Sequence, residues 1–282
     1  MEKIKLIALD LDGTLLNSSK ALSRRNARAL DAAAAAGIAV VPTTGRFFGG
    51  MPKEIRELPY LRYAVTINGA QVQDLETREV VYRAEIPLAQ ALEIMTYLDA
   101  LPVIYDCYQD NWGWMTGAMQ ERAADFAPDG HYLSMLRQLR TPVPELKAYL
   151  EERGRDVQKI QFFAKDLSVR REVLDTFAAR FPGTAVSSSV VNNVEINAAH
   201  ANKGDAIAAL ARHMGISMAQ TMGFGDGLND LEMLRACGVG VAMANACPEA
   251  KAAANVVTAS CDCDGVAQTI EALLREQGEG DQ

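Results

Sequence analysis

The sequence predicts an α/β protein built on a parallel-sheet core, with a second, α+β unit inserted into it. Three observations predict this. Short apolar runs alternate with helix-like segments over residues 1–82. Between residues 83 and 191 the rhythm changes to a separate series of strands and helices. From residue 192 to 282 the first rhythm returns.

The elements follow in order. Residues 4–9 are apolar and read as a buried strand. Ser23 suits the N-cap of the next helix. The alanine run 32–36 favours that helix, and Gly37 suits its stop. A strand over 38–41, a helix around 53–58 and a strand over 63–67 complete a βαβ rhythm with right-handed crossovers. Residues 71–72 and 80–82 flank a polar turn, 74–78, as a hairpin would. In the inserted unit, 88–98 reads as a helix after Pro87 and 103–108 as a strand. Residues 110–117 read as a loop rich in Trp and Gly. Segments 145–153, 157–164, 168–180 and 185–191 give helix, strand, helix and strand. The core resumes with 194–196 and a helix from Lys203, then strands at 221–224, 239–242 and 256–258. The polar tail 277–282 reads as disordered.

Composition agrees. A chain of 282 residues suits two domains, and 49% apolar residues supply sizeable cores. The net charge of −8 and the lack of a long basic run argue against nucleic acid as the main partner. No charged-then-apolar leader is seen, and no apolar run approaches the ~18 residues of a membrane span. Five cysteines without a C-x-x-C pair point to a reduced, cytoplasmic setting, with Cys261-Asp262-Cys263 incidental.

Chemistry concentrates at strand ends. Asp10-Leu11-Asp12-Gly13-Thr14 places two carboxylates at the carboxyl end of the first strand, where open α/β sheets bind ligands. Such charges need compensation, and a divalent cation with oxygen ligands supplies it simply. The pair suits an aspartate nucleophile beside Mg²⁺, with the second carboxylate moving protons. Alone, the run reads equally well as a strand and a solvated acidic turn. Gly225-Asp226-Gly227-Leu228-Asn229-Asp230 repeats the pattern near the other end of the chain. By itself it too reads as a helix-capping turn. Thr43-Thr44-Gly45-Arg46 puts hydroxyls at a third strand end. Asn202-Lys203-Gly204 opens a helix with a lysine, a choice that suits an anion held at the helix start; a solvated surface lysine is the plainer alternative.

Taken together and in this order, the four motifs resemble those of the haloacid dehalogenase-like phosphohydrolases, and of their Cof-type group (subfamily IIB) in particular. Asn68-Gly69-Ala70 and Val194-Glu195-Ile196 also look like that group. The resemblance implies a Rossmann-like three-layer αβα core with a parallel sheet, plus an inserted α+β cap of the C2B type. It places the core at 1–82 and 192–282 and the cap at 83–191. It implies Asp10 as nucleophile and Asp12 as proton donor and then base, with Thr44 and Lys203 completing the catalytic set. Gly45, Arg46, Asn68, Asn229 and Lys203 join Thr44 around phosphate or substrate. Thr43 and Thr44 are adjacent, and Thr44 fits the spacing better. Mg²⁺ falls to Asp10, Asp226, Asp230 and the main-chain carbonyl of Asp12. In the cap, Asp106, Tyr108 and Asn111 are the candidate specificity residues; packing of the cap sheet explains them equally well. The implied activity is Mg²⁺-dependent hydrolysis of small cytosolic phosphomonoesters, sugar phosphates first, by a monomer or homodimer. A phosphomutase or phosphotransferase, and a non-catalytic regulatory protein on the same fold, are the alternatives.

Overall fold

The computed structural model describes residues 2–188 and 190–280. The chain divides into two compact units, 1–83 with 202–282, and 84–201.

The first unit begins with β1 (Leu6–Leu9), four apolar residues buried without exception. Burial on both faces is the mark of a central parallel strand. Helix α1 (Arg24–Ala35) is capped by Ser23, whose hydroxyl accepts the Asn26 N–H, as expected. Gly37 follows it with φ +77°. Strand β2 (Ala39–Pro42) pairs parallel to β1, and a short α2 (Lys53–Arg56) follows. The sequence pattern makes the next strand, β3 (Tyr63–Thr66), a third parallel strand. It joins β2 only through one parallel bridge, Thr43 to Val65. Its ladder runs antiparallel to β4 (Gln71–Asp74), which pairs with β5 (Val80–Arg83). The connection explains this: Ile67, Asn68 and Gly69 all hold positive φ, 53°, 57° and 95°, and reverse the chain so that β4 returns antiparallel to β3.

The second unit opens with α3 (Leu88–Asp99) and β6 (Val103–Gln109). Asp110 and Asn111 both adopt left-handed conformations, φ 55° and 58°. Two such residues make the tight hairpin turn that matches strand twist. Residues 112–116 are therefore strand β7 (Trp112–Thr116), where the sequence reading had a loop. Next come α4 (Gly117–Glu121), α5 (Gly130–Gln138), β8 (Thr141–Val143), α6 (Leu146–Arg153), β9 (Lys159–Ala164), α7 (Leu167–Arg180), β10 (Thr184–Ser187) and β11 (Asn193–Ala198). They form a six-stranded sheet in the order β10-β11-β9-β6-β7-β8. Its two faces differ by the period of two along each strand. Tyr105, Cys107, Ile160, Phe162, Val194 and Ile196 pack with residues of α3, α6 and α7. Asp106, Tyr108, Lys159, Gln161, Glu195 and Asn197 alternate with them and are also buried. Residues 194–196, expected to restart the core, lie in β11 between β9 and β10. The expected return at 192 is therefore displaced to 202.

The first unit then continues with α8 (Lys203–His213), β12 (Thr221–Gly225), α9 (Leu231–Ala236), β13 (Val239–Ala242), α10 (Pro248–Ala253), β14 (Val256–Val257) and α11 (Gly265–Gly280). The parallel sheet has the order β14-β13-β12-β1-β2. Ile7 and Leu9 face a core shared with α1 and α11, while Leu6 and Ala8 face α8 and α9. Three layers result. Asn26, 1% exposed, ties α1 to α11 within one of them: its amide donates to the Leu15 carbonyl and accepts the Ala267 N–H at the start of α11. The expected disorder from 277 is not seen over 277–280, which continue α11; residues 281–282 lie outside the described residues.

Candidate active site

Strand order reverses beside β1: β2 lies on one side and β12, the third strand of the sheet in chain order, on the other. Connections leave in opposite directions there, which opens a crevice at the carboxyl ends. Asp10 is the first residue past β1, Asp226 the first past β12, and Thr43 the first past β2. Sheet topology thus gathers three sequence-distant motifs at one edge.

Glycines let them approach. Gly13 has φ +82°, and a Cβ there would lie 2.4 Å from Asp226 Oδ2. A side chain at Gly225 would stand 2.4 Å from the Asp230 Cβ. Asp230 folds back so that Oδ2 accepts the N–H groups of Asp226 and Gly227, each at 2.9 Å. Its Oδ1 accepts from Lys203 Nζ at 2.6 Å, and the same ammonium donates to Asp10 Oδ1 at 2.6 Å. Lys203 is the first residue of α8 and wholly buried. Asn202 caps that helix by accepting the Asp205 N–H.

Carboxylate oxygens of Asp10, Asp226 and Asp230 lie within 4.8 Å of one another. Burial pushes the Asp10 carboxyl well up, and Asp230 and Asp226 add to this against the pull of Lys203. Burial likewise raises Asp226, against a 2.9 Å hydrogen bond from the Thr14 hydroxyl. Burial would depress Lys203, but Asp10 and Asp230 outweigh it and hold its ammonium above the ordinary range. Three crowded carboxylates exceed what one lysine offsets, and oxygen-only donors suit a hard divalent cation such as Mg²⁺.

Asp12 takes a different course. Its carboxylate is outside that cluster and accepts a two-pronged bond from Arg46, Nε to Oδ2 and Nη2 to Oδ1, both 2.7 Å. Lys20 Nζ adds a third contact at 2.9 Å. Burial works to raise Asp12, but the Arg46 bonds and charge, then Lys20, hold it down at about 2. Arg46, expected at the substrate rim, is thus engaged with Asp12.

The residues expected around phosphate form one zipped loop pair. Thr43 donates its hydroxyl to the Val41 carbonyl, within its own strand. Thr44 Oγ1 accepts the Arg46 N–H, so Thr44 is the threonine that serves the loop. Thr44 and Arg46 carbonyls accept the N–H groups of Asn68 and Ile67. Ile67 and Asn68 both have positive φ, 53° and 57°. For a β-branched residue this is a strained conformation, of the kind kept at functional sites. It presents the Asn68 amide oxygen to Asn229 Nδ2 at 3.2 Å. Gly45 makes room for it: a Cβ there would lie 2.6 Å from that oxygen.

Comparison with known proteins decides the family. A model of haloacid dehalogenase-like hydrolases matches residues 7–270. The chain belongs to the haloacid dehalogenase-like hydrolases. The hydrolase is 31% identical to phosphatase YwpJ of Bacillus subtilis over 96% of its own chain and all of that protein. It is 29% identical to pyridoxal phosphate phosphatase YbhA of Escherichia coli, over 96% and 98% of the two chains. Among solved structures, a haloacid dehalogenase-like hydrolase from Bacteroides thetaiotaomicron superposes with TM-score 0.81 at 27% identity, covering 96% of this chain and 100% of that one. Its relatives are phosphatases, and the hydrolase is an enzyme of that kind.

The remaining expected site residues belong to the second unit. Asp106 is wholly buried in an ion pair with Arg140, Nε to Oδ2 at 3.1 Å, and accepts from Gln161 Nε2. Its Oδ1 is buried without a hydrogen-bond partner. Burial raises this carboxyl, against Arg140. Tyr108 lies between two cations, its ring centroid 4.5 Å from Arg140 Cζ and 4.5 Å from Lys159 Nζ. Asp106 and Tyr108 are therefore built into the buried sheet face rather than displayed on a loop. Asn111 sits apart in the hairpin turn, its N–H donated to Gln158. Sequence reasoning missed Lys20 and Asn245 and gave Thr14 no more than a turn. Asn245, just past β13, donates to the Gly13 carbonyl and accepts the Cys261 N–H. Its place beyond a strand end was a usable signal; nothing in the spacing marked Lys20.

Proposed function

We propose that the hydrolase is a Mg²⁺-dependent phosphatase of small phosphorylated metabolites, sugar phosphates first, working through an aspartyl phosphate on Asp10. The observation that carries this is the cluster of Asp10, Asp226 and Asp230 with the Lys203 ammonium 2.6 Å from two of them. Asp10, Asp226, Asp230 and the main-chain carbonyl of Asp12 would hold Mg²⁺, which when bound neutralises charge between a carboxylate and a phosphate. Asp10 then attacks phosphorus, and Asp12, once the Arg46 fork that keeps it ionised opens and it takes up a proton, gives that proton to the departing alkoxide oxygen. Asp12 afterwards takes a proton from the water that hydrolyses the acyl phosphate. Dividing one displacement in two in this way is nucleophilic catalysis. Thr44, Lys203 and Asn229 hold phosphoryl oxygens, with Gly45 and Asn68 shaping that loop; fixed groups of this kind supply most of phosphoryl-transfer catalysis. Substrate choice falls to the second unit, with Asn111 of the hairpin turn its first candidate, since Asp106 and Tyr108 are taken up by Arg140 in the buried sheet face.

Phosphate release from a panel of sugar phosphates, pyridoxal phosphate and other phosphomonoesters tests the proposal. Release should require Mg²⁺ and be weakened by Ca²⁺, which accepts more ligands in looser geometry. Asp10→Asn should abolish it, against enzymatic accelerations of at least ~10⁶. Full activity after chelation, or Asp10→Asn within about tenfold of wild type, refutes the reading.

A further inference from the structure

Resting on the reading of Asp226 and the Asp12 main-chain carbonyl as Mg²⁺ ligands, we propose that Asn245 is a positioning residue for the metal site, acting through the Gly13 peptide. Asn245 lies just past β13, outside the four motifs, and is exposed. Both ends of its amide are nonetheless engaged. Nδ2 donates to the Gly13 carbonyl at 2.8 Å, and Oδ1 accepts the Cys261 N–H at 2.9 Å.

The need for such a restraint follows from Gly13. A Cβ there would lie 2.4 Å from Asp226 Oδ2, and φ is +82°, so a larger residue is excluded twice over. Glycine is also the residue least able to hold its own backbone in place. The main-chain bonds of the two residues after it are long, 3.4 Å from the Thr14 N–H to the Leu11 carbonyl and 3.2 Å from the Leu15 N–H to the Asp10 carbonyl. The Gly13 α-carbon joins two peptides. One carries the Asp12 carbonyl. The other carries the carbonyl that Asn245 holds, and it leads into Thr14, whose hydroxyl donates to Asp226 Oδ1 at 2.9 Å. Fixing the second peptide therefore restrains two of the expected ligands at once.

The segments that Asn245 joins are themselves fastened. Two residues on, the Cys247 N–H donates to the Asp226 carbonyl at 3.0 Å, so one short segment grips both site loops. The 261–263 turn is tied to α11 by Gln268 Nε2, which donates to the Cys263 carbonyl at 2.7 Å. That turn holds the loop after β1 a second time, Asp262 accepting the Ser18 N–H at 2.8 Å. Cys261-Asp262-Cys263 thus lends the site's frame a main-chain N–H and a carboxylate.

Mg²⁺ alone, titrated calorimetrically into the full chain, tests this. For Asn245→Ala the Mg²⁺ Kd should rise about tenfold, the scale on which metal affinity falls when a group that orients the ligands is lost. Asn255→Ala is the control, since Asn255 is also exposed and also accepts a main-chain N–H, but its bonds go to Gly240 of β13 instead of to the site loops. Its Kd should stay within about twofold of wild type. Both positions are exposed, so both variants should fold, which their urea midpoints check. An unchanged Kd in Asn245→Ala, or an equal weakening in both variants, overturns the positioning role. Wild-type protein that binds no Mg²⁺ overturns the metal reading itself, and the proposal with it.

Discussion

Lys203→Met is the most demanding perturbation of this site. It removes the ammonium that bonds to both Asp10 and Asp230 and leaves three carboxylates within 4.8 Å of one another. Breaking a buried pair from one side costs about 3–5 kcal/mol, because the orphaned charge stays buried. That is a large part of a typical total of about 5–15 kcal/mol. The pH dependence carries the finer test. In the wild type, Lys203 titrates above its ordinary range, so its stabilisation is complete below the unfolded value, ~10.4, and is lost only as pH rises through the folded one. Between about pH 5 and pH 8 it contributes a constant amount. In the variant, burial, Asp230 and Asp226 still push Asp10 up, and the opposing pull has gone. A carboxyl raised on folding stabilises below its unfolded value, ~3.9, and that stability is lost as pH rises through the folded value. The variant should therefore be less stable at pH 8 than at pH 5, with Mg²⁺ restoring part of the difference. Urea denaturation at both pH values, with and without Mg²⁺, measures this. A loss below about 1 kcal/mol that is equal at both pH values would refute the argument from uncompensated charge.

Three other outcomes are expected. Asn26→Ala should cost about 2–4 kcal/mol, since two buried main-chain groups, the Leu15 carbonyl and the Ala267 N–H, lose their partner; thermal or urea unfolding checks it. Asp106→Ala should destabilise by about 3–5 kcal/mol by leaving Arg140 unpaired, whereas Asp106→Leu with Arg140→Met should recover much of the loss in the same assay. Arg155 and Arg153 outweigh burial and lower the Asp110 carboxyl, so its stabilisation exists above the unfolded value and is lost as pH falls through the lower folded one; Asp110→Asn should flatten the acid limb of stability against pH.

What could be read in advance was local. Leu6–Leu9 followed by Asp10 and Asp12 announces a strand end with carboxylates, because four apolar residues and a glycine exit are contiguous. Ser23 and Gly37 bracket a helix for the same reason. Pairing between distant segments is a different matter. Nothing near Arg46 indicates that its fork closes on Asp12, and nothing near Asp106 names Arg140. The Asp110-Asn111 turn was missed because its left-handed geometry is usually signalled by glycine. Strand β11 was assigned to the wrong unit because Val194-Glu195-Ile196 alternates equally well on either sheet; only its partners, β9 and β10, decide.

The position of β1 between β2 and β12 has a consequence for synthesis on the ribosome. Thr14 bonds to a partner 212 residues later, and Asp10 to one 193 residues later. The second unit, in contrast, is one unbroken stretch, 84–201, with its own core. Domains fold as units while the chain emerges, and long-range pairings wait for their partners. The inserted unit can therefore be complete while β1 still has one edge open and Asp10 still lacks its lysine. Closing that edge with β12 is the event that assembles the site, so a nascent chain halted before residue 203 should carry a folded insert and no catalytic centre.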